Sequence, residues 1–175
     1  TDPAQLSSNV MKLISFDRNQ KKDLSNEDGS KNLRSELCKG TSSEFGPIEC
    51  LNEFYKQMRG KNIKSIGVSL CSQAFTNSSV SCYMEAASVS LVDELRLGLC
   101  QEALDNGPAE CFKSIRKVFN VKQVEDEIIV ATCSMATRHS SSGTSSCFIN
   151  APKYLSSQDK IALCRRSTNT EPVQC

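Results

Sequence analysis

Cysteine is the residue type in this chain whose number and spacing first suggest a chemical role, as a metal ligand, a redox group or a partner in a disulfide bond. Ten cysteines stand among 175 residues. Zinc sites and redox-active motifs typically use two cysteines separated by only two residues. No such close pair occurs here, because the separations that recur are 11 to 14 residues. A high and even number of cysteines at wider spacing instead indicates disulfide bonds, which form in oxidising compartments.

Other candidate catalytic groups are few. His139 is the only histidine, and it lies in the polar stretch ATRHSSSGT, which is typical of a solvated loop. A serine or cysteine nucleophile would need that histidine beside it in a cleft. The carboxylates at 125–127 are consecutive, so on a helix they point in different directions and do not form an acid–base pair. Their position at a helix start, where the helix dipole stabilises negative charge, explains them better. We therefore predict no catalytic residue, no cofactor and no metal, and a protein that is not an enzyme.

The cysteines fall into five pairs with similar surroundings. The pairs are Cys38/Cys50, Cys71/Cys82, Cys100/Cys111, Cys133/Cys147 and Cys164/Cys175. Their first members are 33, 29, 33 and 31 residues apart, a period found in helix-pair repeats. Leucine precedes the first cysteine in four pairs, and a small residue stands three positions after it in all five. This agreement at several offsets indicates an internal repeat.

Two short helices are predicted around each cysteine pair. In VDELRLGLCQEA, Leu95, Leu99 and Ala103 recur at helical spacing and place Cys100 late in a helix. Pro108 follows a polar loop and suits the first turn of a second helix, which carries Cys111. We predict that the two cysteines of each pair bond across this loop, which stabilises a unit by about 3 kcal/mol. Ten cysteines also allow many other pairings.

The predicted fold is an all-α, disulfide-stapled array of helix hairpins, similar to an α-solenoid. An N-terminal helical arm or half repeat at 1–34 precedes the complete units. The units are expected at 35–62, 63–91, 92–122, 123–155 and 156–175, the last of them truncated. Neither end resembles a polar capping repeat, so we expect a window of a longer array or a protomer whose ends are covered by neighbours.

Composition limits the partners. The chain has 21 basic and 20 acidic side chains, which gives no reason to expect nucleic acid. No stretch approaches the roughly 18 apolar residues that span a bilayer, so we predict no membrane span. Asn77 begins the only N-x-S/T acceptor and is a predicted glycosylation site on an exposed loop. Lys160, Arg165 and Arg166 form a small basic patch, which is typical of a solvated face and has an ionic contact with the next subunit as its alternative role.

The repeat unit can be written L-C-x2-[A/T/S]…P-x2-C-[F/Y/L]. Over residues 33–175 it resembles the tandem cysteine-paired helical repeats of very large algal and protist proteins. In having helical repeats with paired cysteines, it is also similar to Sel1-like cysteine-rich repeats, but those have closer cysteines and several glycine positions that this chain lacks. The resemblance implies an architecture and no particular activity.

Taken together, these features predict an extracellular, structural protein. We expect a non-catalytic subunit or segment of a fibre or surface appendage that assembles with copies of itself or with other extracellular proteins. The alternative is a secreted binding module that recognises a protein, a peptide or a glycan on a solenoid face.

Overall fold

A computed structural model describes residues 46–58, 63–72, 74–120, 123–165 and 167–168. All of them belong to the unit Leu37–Cys175. Within these ranges the chain forms eight α-helices and one 3₁₀ turn, and no strand. The predicted all-α class is therefore confirmed. The predicted N-terminal arm at 1–34 lies outside the described residues, and the limits of the units stay a prediction.

The helices are short, from eight to twelve residues. In chain order they are α1 Gly46–Gln57, α2 Ile63–Cys71, α3 Ser78–Ala86, α4 Asp93–Cys100, α5 Gly107–Val118, α6 Asp126–Cys133, α7 Ser141–Asn150 and α8 Ser157–Cys164. The 3₁₀ turn Ala87–Val89 follows α3. Each even-numbered helix ends on the first cysteine of a predicted pair, and each odd-numbered helix carries a second cysteine.

Helix starts and stops follow the local sequence. Pro108 stands in the first turn of α5, where the N–H that proline lacks has no helical partner anyway. Ser156 caps α8 in a reciprocal arrangement with Asp159, in which each side chain accepts from the other residue's backbone N–H. Helix α7 ends at Asn150, two residues before Pro152, and its ten residues make it shorter than the twelve-residue α5.

Each helix packs mainly against the helices one and two positions along the chain. The odd-numbered helices contact one another in the order α1, α3, α5, α7, and the even-numbered helices in the order α2, α4, α6, α8. Consecutive helices join the two rows into hairpins α1–α2, α3–α4, α5–α6 and α7–α8. Contacts confined to neighbouring units are typical of repeat proteins.

The buried interior is formed largely by residues next to the cysteines. Tyr83 and Phe112 follow the second cysteine of their pairs and are 0% and 1% exposed. Leu70 and Leu99 precede the first cysteine and are fully buried. The eight described cysteines are themselves 0% exposed. Sulfur bridges therefore occupy positions that larger apolar side chains would fill in a thicker core.

Candidate functional site

Four disulfides link helices across the array, and their pairing differs from the prediction. The bonds are Cys50–Cys71, Cys82–Cys100, Cys111–Cys133 and Cys147–Cys164, with Cα–Cα distances of 5.4 to 5.6 Å. Each joins the second cysteine of one predicted pair to the first cysteine of the next. The predicted pairs Cys71/Cys82, Cys100/Cys111 and Cys133/Cys147 are therefore wrong.

The two outermost predicted pairs are wrong as well. Cys50 is bonded to Cys71, so it cannot also bond to Cys38. Cys164 is bonded to Cys147, so it cannot also bond to Cys175. Cys38 and Cys175 themselves lie outside the described residues.

Helix packing explains why the observed pairing prevails. Cys111 has a neighbour on each side: Cys100 at the end of α4 and Cys133 at the end of α6. Helix α5 packs more extensively against α6 than against α4, and the α-carbons of Cys111 and Cys133 are 5.6 Å apart, within the range that a disulfide requires. The entropy of loop closure hardly discriminates between bonding to Cys100 and bonding to Cys133, because doubling the length of a loop changes its closure cost by only about 0.6 kcal/mol.

A tight turn follows every even-numbered helix and accounts for the small residue three positions after the cysteine. In each turn the carbonyl of the helix-ending cysteine accepts a hydrogen bond from that residue's N–H, at 2.8 to 3.1 Å. The four donors are Ala74, Ala103, Ala136 and Ser167, and all are buried. A small side chain suits this position because the residue is buried within the turn.

The turn closes over the start of the odd-numbered helix in the same hairpin. A β-carbon placed on Gly107, at the start of α5, would lie 2.1 Å from the carbonyl carbon of Thr137. A β-carbon on Gly46, at the start of α1, would lie 2.4 Å from the carbonyl oxygen of Ala74. In the last hairpin the hydroxyl of Thr144 donates to the carbonyl of Ser167 at 3.1 Å. The disulfide and this turn together fix one end of each of these hairpins.

A polar contact holds the opposite end in two hairpins. In α3–α4, the hydroxyl of Tyr83 donates to Asp93 at 2.8 Å, and Arg96 pairs with the same carboxylate. In α5–α6, Arg116 pairs with Asp126. Asp93 and Asp126 occupy the same repeat position, the first residue of an even-numbered helix and seven residues before its cysteine. This shared position was the sequence signal for the contact, but we predicted only a favourable position at a helix start for the acidic residues at 125–127.

Burial perturbs the ionisation of Tyr83. Loss of hydration raises the pKa of its hydroxyl well above the ordinary value, and the hydrogen bond donated to Asp93 raises that pKa further. The guanidinium of Arg96 lies 4.8 Å from the centre of the tyrosine ring and acts in the opposite sense. The hydroxyl therefore remains a donor throughout the physiological pH range, as its contact with Asp93 requires.

No protein-family model, curated protein or solved structure matches this chain. The helical, cysteine-linked architecture agrees with the resemblance to cysteine-paired repeats, but that resemblance assigns the chain to no family. The function must therefore be argued from the chain's own geometry.

The remaining candidate residues are dispersed. His139 is exposed in the stretch before α7, and Asn77 is exposed at the N-cap of α3. Lys160 is partly buried on α8, while Arg166 lies outside the described residues. Among the described residues, no group of three histidine, cysteine, aspartate or glutamate side chains could hold a metal ion. No helix in the same part of the chain is long and apolar enough to cross a membrane.

One open cavity lies between the starts of α6 and α8 and the side of α7, with a volume of about 410 Å³. Its lining is Gln123, Val124, Glu125, Ile128, Phe148, Ser157 and Lys160. It offers one cation, one carboxylate, two amide or hydroxyl groups and an apolar floor. Such a mixed lining suits a polar ligand better than a purely apolar one.

Proposed function

We propose that the chain is a structural, non-catalytic subunit or segment of an extracellular fibre or surface appendage. The observation that carries this proposal is the order of helix contacts, in which each hairpin packs mainly on the hairpins before and after it. An array of this kind can be extended by another hairpin without changing its internal contacts. Head-to-tail contact between copies would then produce a filament.

The first described helix has an apolar stripe where a preceding hairpin could pack. Ile48 and Tyr55 lie seven residues apart on α1, and each is 41% exposed. In α3 the residue equivalent to Ile48 is Val80, which also stands two positions before the cysteine and is fully buried. Tyr83, three residues after Val80 on α3, packs edge-to-face against Phe54 of α1, with ring centres 6.0 Å apart. The stripe on α1 therefore has the chemistry of an internal contact surface.

The last described helix has a corresponding apolar position. Leu163 precedes Cys164 on α8 and is partly exposed. Its equivalents Leu70, Leu99 and Thr132 are 0% exposed, and each is followed by another hairpin. The partner we propose for this face is the α1 stripe of a second copy, because that contact would repeat the stacking of hairpins inside the chain.

The extracellular location is part of the proposal. Eight buried cysteines are joined in four disulfides, a state that oxidising compartments support and reducing ones do not. The disulfides also stabilise hairpins whose helices are too short to persist alone in water.

Sedimentation velocity and electron microscopy of the oxidised chain would test the assembly. We expect polymers that lengthen with protein concentration. Ile48→Lys should block one face and Leu163→Lys the other, so each variant alone should stay monomeric. Mixing the two variants should give a one-to-one dimer, because each retains one intact face.

Controls make the result specific. Val92→Lys changes an exposed apolar residue on a connection and should leave polymer length unchanged. Circular dichroism should show that all three variants keep the helical content of the parent chain. A variant with both Cys38 and Cys175 replaced by serine keeps the four disulfides. Comparing its polymers with those of the parent chain after denaturation without reduction shows whether disulfides between chains hold the polymers together. Monomers of the parent chain at every concentration would refute the proposal.

The cavity favours a second candidate function, a secreted binding module. Glu125 and Lys160 on its rim and Phe148 in its floor could hold a peptide or a glycan. Screening peptide and glycan arrays, with Lys160→Glu as the disabling variant and the exposed Lys153→Glu as its control, would test this reading. Binding that is lost only with the Lys160 change would support it.

A further inference from the structure

Of the two polar residues that define the glycosylation acceptor site at Asn77, one is exposed to solvent and the other is buried. Asn77 is exposed at the N-cap of α3, and its side chain makes no capping hydrogen bond. Ser79, whose hydroxyl completes the N-x-S/T motif, is 0% exposed. Its hydroxyl oxygen is buried and has no hydrogen-bond partner. An enzyme that must read both residues can reach only one of them in the folded chain.

The burial of Ser79 belongs to the repeat. Ser79 stands three residues before Cys82, and the equivalent residues Pro47, Pro108 and Thr144 are also fully buried. In the α7–α8 hairpin this position contacts the turn that closes over the helix start. The corresponding turn for Ser79 follows α4, whose last residue, Cys100, is bonded to Cys82. From this equivalence we expect closure of the α3–α4 hairpin to bury the hydroxyl.

The backbone of the acceptor site is fixed as well. The carbonyl of Asn77 accepts hydrogen bonds from the N–H groups of Val80 and Ser81, at 3.0 and 3.3 Å. The N–H of Ser78 donates to the hydroxyl of Thr76 at 3.2 Å. These bonds hold residues 76 and 77 against the first turn of α3, which begins at Ser78. Turning Ser79 outward would require that turn to unwind.

We infer that Asn77 can be glycosylated only before the α3–α4 hairpin closes, so that the site no longer accepts a glycan once the Cys82–Cys100 disulfide has formed. In the transfer, the Asn77 side-chain nitrogen bonds to the anomeric carbon of a lipid-linked oligosaccharide, displaces its pyrophosphate and gives up one proton. Nothing is oxidised or reduced. The inference rests on the proposed extracellular location but is independent of fibre assembly.

The test offers two forms of the unglycosylated full chain to solubilised oligosaccharyltransferase with a lipid-linked oligosaccharide. One form is oxidised and folded, and the other is reduced and alkylated. Mass spectrometry of the peptide containing Asn77 measures the rate. We expect the folded form to react at least about 1,000-fold more slowly, because only a small fraction of native molecules, of the order of 10⁻³ or below, is open at any time.

Variants make the inference falsifiable. Lys153→Asn with Leu155→Thr places a second acceptor around the exposed Tyr154 and should react in both forms. In secretory cells, Cys82→Ser with Cys100→Ser should raise occupancy at Asn77, whereas Cys147→Ser with Cys164→Ser should not. Similar rates at Asn77 in the folded and reduced forms would overturn the inference. So would a reduced chain that accepts glycan at the second site but not at Asn77.

Discussion

The guanidinium of Arg116 pairs with the carboxylate of Asp126 at the end of the α5–α6 hairpin remote from its disulfide. The same guanidinium donates to the carbonyls of Phe119 and Val124, at 3.2 and 2.9 Å. It also lies 5.6 Å from the centre of the Phe112 ring. One side chain therefore ties both ends of the connection between the two helices to the body of α5.

Replacing Arg116 tests that role. Arg116→Met should lower the free energy of unfolding by about 2 to 3 kcal/mol, because three partners lose a charged donor. Arg116→Lys should recover only part of the loss, since one ammonium cannot reproduce the fork geometry of a guanidinium. Urea unfolding followed by circular dichroism measures both. Lys117→Met, at an exposed neighbour, is the matched control and should change stability by no more than about 0.5 kcal/mol.

The disulfide pairing can be checked by counting thiols. Cys111→Ser with Cys133→Ser removes one observed bond and should add no free thiol, while costing about 2 to 4 kcal/mol of stability. Cys100→Ser with Cys111→Ser removes the pair predicted from spacing and should leave Cys82 and Cys133 as two free thiols. Thiol titration of the denatured, unreduced variants distinguishes the two arrangements. The reverse result would restore the pairing across the shorter loop.

The close approach of the turn after α6 to the start of α5 predicts opposite effects at two glycines. Gly107→Ala should destabilise the chain by about 2 to 3 kcal/mol, since its β-carbon would fall 2.5 Å from the backbone nitrogen of Arg138. Gly98→Ala lies within α4, where the nearest atom is a methyl of Val130 at 3.7 Å. That change should be neutral or stabilise by up to about 1 kcal/mol. Thermal unfolding of both variants provides the comparison, and equal shifts would contradict it.

Tyr83 should make stability depend on alkaline pH. Its pKa is raised in the folded chain, so the stabilisation from its neutral hydroxyl is fully present below the unfolded value of about 10. Stability should then fall by as much as about 1.4 kcal/mol per pH unit as the pH rises above that value towards the folded pKa. Tyr83→Phe should be less stable at neutral pH by about 1 kcal/mol but lack this decline.

Urea unfolding of the parent and Tyr83→Phe chains at several pH values supplies the measurement. Every other side chain is the same in both chains, so the difference between the two stability curves isolates Tyr83. A constant difference across the alkaline range would show that the buried hydroxyl has no raised pKa. The exposed Tyr154→Phe serves as the control and should leave the curve unchanged.

Several parts of the fold were accessible from local sequence because they depend on local physics. Helical periodicity placed Cys100 at the end of a helix, and Pro108 marked the next helix start, as observed. Ser156 and Asp159 form the capping box of α8, a pattern that depends only on residues three positions apart. The small residue after each first cysteine was recognised only as part of the repeat, and the structure places it in a turn whose hydrogen bond recurs in all four described hairpins.

An all-helical chain of short cysteine-bearing units could be predicted from residue order, because hydrophobic spacing and helix caps act within a few residues. Which neighbour each cysteine bonds depends instead on how the helices pack. Cys111 has a potential partner in the helix before it and another in the helix after it, and the entropy of closing either loop is nearly the same. The closer packing of α5 on α6 brings Cys133 to bonding distance, and that packing depends on contacts between helices rather than on the spacing of residues within one helix.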